Sequence, residues 1–356
     1  MDNKILAVTV AVVAIAVGIS AIFLLNNGSG TADEGSQVDY VPTGSDEPDG
    51  ITQVTVTDNL GVTKTVKYKP ERVVCLSTYA CEALMLLGQT DRVVAVTNSS
   101  KTNADQAEYF VNAKDIGNFN NPDMAAILKL DPDLIIHYGT QTAVAEKLDS
   151  LHLPYVSLQC SNVSTIKQEI TALGKIFGQE ELAEKYCGYY DDIVEQVSKA
   201  AGSSDSKKTV YMESFSSMYA MGLSSTYSVL ALQAGADLIY KEQASATVSP
   251  AWVVGKNPDV IIKTQTLANM VDGGAENIYN EICSRTGFGT VSAVRDGDVH
   301  VLCSQLFAGP RCFAGLVACS NILNGDDGLS VTKVLTDYNS MFGLHISMDD
   351  LTYPNL

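Results

Sequence analysis

Arg311, in the run Ala308-Gly309-Pro310-Arg311-Cys312, carries the most pointed chemistry in the chain. A guanidinium stays charged at every physiological pH and grips carboxylates or metal-bound oxyanions through paired hydrogen bonds. A structural pair with an acid or a helix end is the equal alternative. Six short runs add hydroxyl, amide and aromatic groups suited to a polar, ring-containing ligand. They are Ser77, Thr78 and Tyr79; Asn98 to Ser100; Tyr138, Thr140 and Gln141; Glu213 to Tyr219; Thr264 and Gln265; and Ser304 to Arg311, with Gln305 and Phe307. Trp252, the only tryptophan, follows Ser249-Pro250 at a helix start and reads equally as a packing residue or a cleft wall.

Catalytic patterns are missing. The sequence has no GxSxG elbow, no GxxxxGK[ST] loop, no HExxH and no GxGxxG after a strand. His137, His152, His300 and His345 are far apart, and no CxxC pair or Cys/His cluster exists. No catalytic residue, no protein-bound metal and no intrinsic cofactor is expected, because capture of a bare ion wants His and carboxylates together. A pre-chelated metal suits this chain better.

The elements that must position these runs alternate between strand and helix. ITQVTVTDNLGVTKTVKY, residues 51–68, has period-two apolar residues around Asn59-Leu60-Gly61 and predicts a hairpin. RVVCLS, DRVVAVT, DPDLIIHYG and PYVSL read as strands, separated by helical runs such as ACEALMLLG and by NNPDMAAILKL with Asn121 as its N-cap. The pattern resumes with KKTVYMES, TYSVLALQAG, PDVIIKT and GDVHVLCS. Such alternation gives an α/β fold with parallel sheets. An internal echo suggests two related lobes: LDPDLII at 130–136 returns as KNPDVII at 256–262, and each is followed by Thr-Gln-Thr. Between them, residues 165–202 carry helical periodicity, with Gly174 and Gly178 as weak spots. The expected architecture is two Rossmann-like lobes joined by a long rigid helix, with the ligand in the cleft beyond the strands' carboxyl ends.

The chain has 356 residues and a net charge of −18, too acidic for a nucleic-acid partner. Residues 1–50 hold seven of the acids and one base, so the body keeps the acidic balance. Ile5 to Leu25 is uncharged and reaches roughly 31 Å as a helix, enough to cross a bilayer. A cleaved signal is the alternative, with h-regions of about 7–15 residues. The expected organisation is 1–4 cytoplasmic, 5–25 transmembrane anchor or signal, 26–50 acidic flexible linker, 51–164 N-terminal lobe, 165–202 linking helix and 203–356 C-terminal lobe. The expected localisation is the cell membrane, single-pass, with a monomeric body outside the cell. Eight cysteines in an exported chain suggest disulfides, and buried free thiols are the alternative.

In order, these motifs resemble the substrate-binding proteins of ABC importers for iron–siderophore, haem and cobalamin, those with a helical link between lobes. The resemblance runs through VTVTDNLGVTKTVKYKPERVVCLS (54–77), Glu82 in its helix, DRVVAVT (91–97), DMAAILKLDPDLII (123–136), NPDVII (257–262) and AVRDGDVHVL with GPR (293–311). It implies capture of a metal chelate (ferric siderophore, corrinoid or haem) and delivery to a permease with its ATPase. It also implies that Glu82 docks on permease arginines, while the second lobe's acid is replaced by Ser228. Few bases line the runs, only Arg311 with Lys263 and Lys101 nearby, which tilts the cargo toward a neutral or weakly charged chelate. Tyr79, Tyr138 or Tyr219 would be the ligands for haem iron. Two alternatives are an extracytoplasmic chelatase or metal-handling enzyme, using Cys75, Cys303 or Cys312, and a ligand sensor.

Overall fold

The computed structural model describes residues 50–203, 207–325 and 328–354. The segment 1–49, with the expected anchor and acidic linker, lies outside the described residues.

The hairpin forms as expected, from β1 (Gln53–Thr57) and β2 (Thr63–Lys67). Asp58 organises its turn by accepting from the Leu60 and Val62 amides, and Gly61 supplies the left-handed residue at φ +75°. The first lobe is then built on β3 (Val73–Cys75), β4 (Val93–Val96), β5 (Lys114–Asp115), a small ribbon of β6 (Gly117–Asn118) and β7 (Asn121–Pro122), β8 (Leu134–His137) and β9 (Tyr155–Ser157). The sheet order β5-β4-β3-β8-β9 is parallel throughout. The helix after β7 begins two residues later than the sequence suggests. Asn121 and Pro122 are spent in the ribbon, and Asp123 is the N-cap because its carboxylate accepts from the Ala126 amide.

The second lobe comprises β10 (Thr209–Glu213), β11 (Tyr219–Ala220), β12 (Asp237–Leu238), β13 (Ala246–Thr247), β14 (Val260–Gln265), β15 (Val299–Cys303) and β16 (Thr352–Tyr353). Its parallel strands run β12-β10-β14-β15, the same order as β4-β3-β8-β9 in the first lobe. Antiparallel β11, β13 and β16 are additions at the edges.

The sequence echo has a physical cause. Asp131 and Asn257 both end a helix in the left-handed conformation, at φ 46° and 45°. Two residues on, Asp133 and Asp259 each accept from the backbone at the entry of their lobe's first strand: Asp133 from the Glu71 and Arg72 amides, Asp259 from the Thr209 amide. Both acids also hydrogen-bond that strand through their own amide. The repeated Pro-Asp therefore pins the strand entering from the helix against its neighbour, once per lobe.

Residues 165–202 form two helices rather than one. Ile166–Phe177 ends at Gly178, which takes φ +65° under Tyr68 and Lys69. The chain then turns into the 23-residue helix Glu180–Gly202, about 34 Å long. Its buried face presents Tyr186, Tyr190, Ile193 and Val197. The Tyr186 hydroxyl donates to the Pro310 carbonyl, and that of Tyr189 to Val334. The C-terminal segment is a strap over both lobes. Its helix Val331–Phe342 lies on the long helix, residues 345 and 347 bond to Tyr109 and Asp105 of the first lobe, and β16 closes the second lobe's sheet beside β15.

Candidate functional site

Beyond the carboxyl ends of β3, β4, β8 and β15 lies a cleft of about 320 Å³. Thr78, Tyr79, Ser99, Tyr138 and Gln305, five of the residues singled out from sequence, line it together. Gln305 comes from the second lobe and the rest from the first, so the wall is shared. Leu76, Asn103 and Phe119 complete the lining. No charged side chain is among these eight. A second hollow of about 430 Å³ is lined by Glu71, Gly88, Gln89, Asp91 and Arg92, none of which directly follows the carboxyl end of a strand.

The half-buried Tyr79 is seated by Gly309, whose φ of +82° leaves its Cα side open. A Cβ there would stand 2.8 Å from the Tyr79 ring. Burial, helped by Tyr138 and Glu82, pushes the Tyr79 phenol up to about 12, so it is a neutral donor at physiological pH. Tyr138 packs on Phe119 with ring centroids 5.0 Å apart. Phe119 escaped the sequence reading because its position depends on the β6–β7 ribbon, whose two-residue strands have no periodicity to read. Asn103 follows a five-residue helix and left equally little signal.

Arg311 does not face the cleft. Only 3% exposed, it donates from Nη2 to Glu82 Oε2 at 2.8 Å and from Nη1 to Asp105 Oδ2 at 2.6 Å. Tyr338 adds a donor to Glu82 at 3.3 Å. Burial alone would lower the Arg311 pKa, but the two carboxylates outweigh it and hold the guanidinium charged. Glu82, the residue the resemblance assigns to permease docking, is therefore engaged inside the protein. A carboxylate 3% exposed and bonded across the lobes has no free face for a permease arginine. Ser228, the expected counterpart position, is fully buried and bonded to the Met221 carbonyl.

Ser77, Glu213, Thr264, Gln265, Gln141, Tyr219, Trp252 and Phe307 are not among the lining residues of this cleft. Ser77 caps the helix Thr78–Leu86 and donates to Gln159. Glu213, fully buried, is held bidentately by Arg285 at 2.7 and 2.8 Å and by Lys263 at 2.8 Å. Burial pushes its carboxyl up, yet these two cations overcome that and leave it below the usual range. Thr264 is buried and donates to the Glu213 carbonyl. Gln265 accepts from Thr266 and Asn269. The Gln141 amide reaches the exposed Thr140 hydroxyl at 3.4 Å. Tyr219 donates to Ser245, and Trp252 packs edge-on against Tyr240, so neither is among the cleft's lining residues. Phe307 is fully buried beneath Tyr227, 5.0 Å away.

All eight cysteines are free thiols. Burial, with Cys81 adjoining, raises the Cys75 thiol, and burial pushes Cys303 to about 11 and Cys312 to about 12. Among the described residues no group of three His, Cys, Asp or Glu is placed to hold a metal ion.

Two lobes of matching strand order, a long connecting helix and a shared cleft define a bilobed solute-binding fold. The chain belongs to the periplasmic binding protein family, whose pattern matches residues 73–306. It is a solute-binding protein of the ABC-transporter type, a class that works with a permease and an ATPase. The ferric-anguibactin-binding protein FatB of Vibrio anguillarum is 23% identical over 255 residues, 66% of this chain and 76% of that one. The TroA-like periplasmic binding protein FepB of Veillonella parvula matches with a TM-score of 0.69 at 19% identity, covering 85% of this chain and 100% of that one. The molybdate periplasmic binding protein MolA of Haemophilus influenzae matches with a TM-score of 0.66 at 17% identity, covering 81% and 97%.

These findings correct the localisation expected from sequence, a single-pass membrane protein. Among the described residues no helix is long and apolar enough to cross a membrane, and the family is one of periplasmic binding proteins. The expectation rested on residues 5–25, which lie outside the described residues.

Proposed function

We propose that the chain captures an uncharged or weakly charged metal chelate in the cleft and hands it to an ABC permease. The observation that carries this reading is the fate of the nearby bases. Arg311 is consumed by Glu82 and Asp105, and Lys263 by Glu213 with two carbonyls. Lys101 is consumed by the carbonyls of Phe110, Val111 and Ala113. The lining that is left offers phenols, hydroxyls, amides and phenyl surface. Moving a highly charged anion from water into such a lining costs desolvation with no countercharge in return. A neutral chelate loses little hydration and gains stacking and hydrogen bonds.

No side chain of the cleft supports the enzymatic alternative. Its candidate thiols, Cys75, Cys303 and Cys312, are fully buried and held protonated. Isothermal titration with chelates of similar size and different charge tests the proposal. A neutral ferric tris-hydroxamate or a corrinoid is expected to bind with an affinity that barely changes with salt. Tight binding confined to a trianionic ferric tris-catecholate, and weakened steeply by salt, would refute it.

A further inference from the structure

Phe215 is an exposed phenyl, 47% accessible, on the loop that leaves the carboxyl end of β10. Its ring meets Tyr227 edge-on at 6.4 Å, and Tyr227 lies over the buried Phe307 at 5.0 Å. Phe307 is two residues from Gln305 in the cleft wall, and burial, with the Tyr79 phenol nearby, raises the Tyr227 pKa. The three rings thus form a continuous aromatic stack on the second lobe.

The backbone beneath Phe215 is unusually restrained. Lys263 Nζ donates to the carbonyls of Phe215 and Ser216 at 3.1 and 3.2 Å while also bonding Glu213. Glu213 in turn is clamped by Arg285, and the Ser214 amide donates to the Tyr219 carbonyl. Burying three ionised groups in one network is costly. What this network holds still is a loop whose most prominent side chain is an apolar ring left in water. An exposed hydrophobic group on an immobile backbone is preorganised for contact, because little conformational freedom remains to be lost on binding.

We infer that Phe215 is a contact residue for the organic shell of the ligand, stacking on an uncharged face of it, and that Lys263, Glu213 and Arg285 are the groups that position it. This rests on the cleft being the chelate site. The test uses the whole chain with two probes, ferrichrome (a neutral ferric tris-hydroxamate) and cyanocobalamin (a neutral corrinoid), read by isothermal titration. For the probe that binds, Phe215→Ala is expected to weaken affinity roughly tenfold with an unchanged melting temperature, since the ring is exposed. In Phe215→Trp the new indole is expected to become shielded from acrylamide when the probe is added. Affinity of Phe215→Ala within twofold of the parent, while Tyr138→Ala loses binding, overturns the inference and leaves the cleft reading standing. Failure of both probes to bind the intact chain overturns the neutral-chelate reading and the inference with it.

Discussion

Replacing Arg311 with Met removes the one cation shared by Glu82 and Asp105 and leaves two carboxylates buried, each only a few per cent exposed. Arg311 lies 229 residues from Glu82 and 206 from Asp105 in sequence, so the loss falls on the junction between lobes rather than on one local element. Breaking a buried pair by deleting one partner costs about 3–5 kcal/mol, because the remaining charge is uncompensated. With a urea m-value of about 3 kcal/mol/M, the upper end of the small-protein range, the midpoint should fall by roughly 1 M or more. Equilibrium unfolding followed by circular dichroism and by tyrosine fluorescence supplies the measurement, with coincident curves establishing a two-state transition. Arg311→Lys should fall between parent and Met, since it keeps the charge and loses the fork. Adding Glu82→Gln to Arg311→Met should recover at least about 1 kcal/mol, because one stranded charge disappears. A loss below about 1 kcal/mol for Arg311→Met, the range of exposed pairs, would refute the reasoning.

Gly309→Ala should lower stability by roughly 1 kcal/mol from its left-handed backbone alone. It should also weaken chelate binding, because the new methyl displaces the Tyr79 ring, as titration of the variant will show. Acidification should destabilise the fold through His137 and His300, whose pKa values burial lowers. The unfolded rings take up protons as pH falls through about 6.5 while the folded ones resist. Stability is therefore intact above that pH and declines below it, and His137→Gln should flatten the fall in urea midpoint between about pH 7.5 and 5. Thiol titration of the native protein should detect at most Cys187 and Cys283, the two cysteines that are not fully buried, and all eight in denaturant. Rapid reaction of a third thiol in native conditions would contradict the buried setting of the other six.

The α/β alternation, the hairpin and the duplicated Pro-Asp junction were all legible before any coordinates. Each rests on periodicity or turn chemistry within about ten residues, where local sterics and capping decide the outcome. Thr78, Tyr79, Tyr138 and Gln305 were legible for the same reason: in a parallel α/β lobe, the residue just past a strand is carried to the carboxyl edge of the sheet. The break at Gly178 was visible as a weak spot, but only the seat beneath Tyr68 and Lys69 shows that a left-handed turn is taken there.

Sequence by itself determined the kind of protein this is, since order and spacing of strands, helices and turns are written locally. Tertiary structure alone decided which charges are free. A guanidinium and a carboxylate more than two hundred residues apart carry no mark of each other until the lobes pack. Desolvation then makes pairing them far cheaper than leaving either alone. That pairing put Arg311, whose sequence allowed a ligand grip and a structural pair equally, and Glu82, expected at the surface, into the junction between lobes, and left the cleft its uncharged lining.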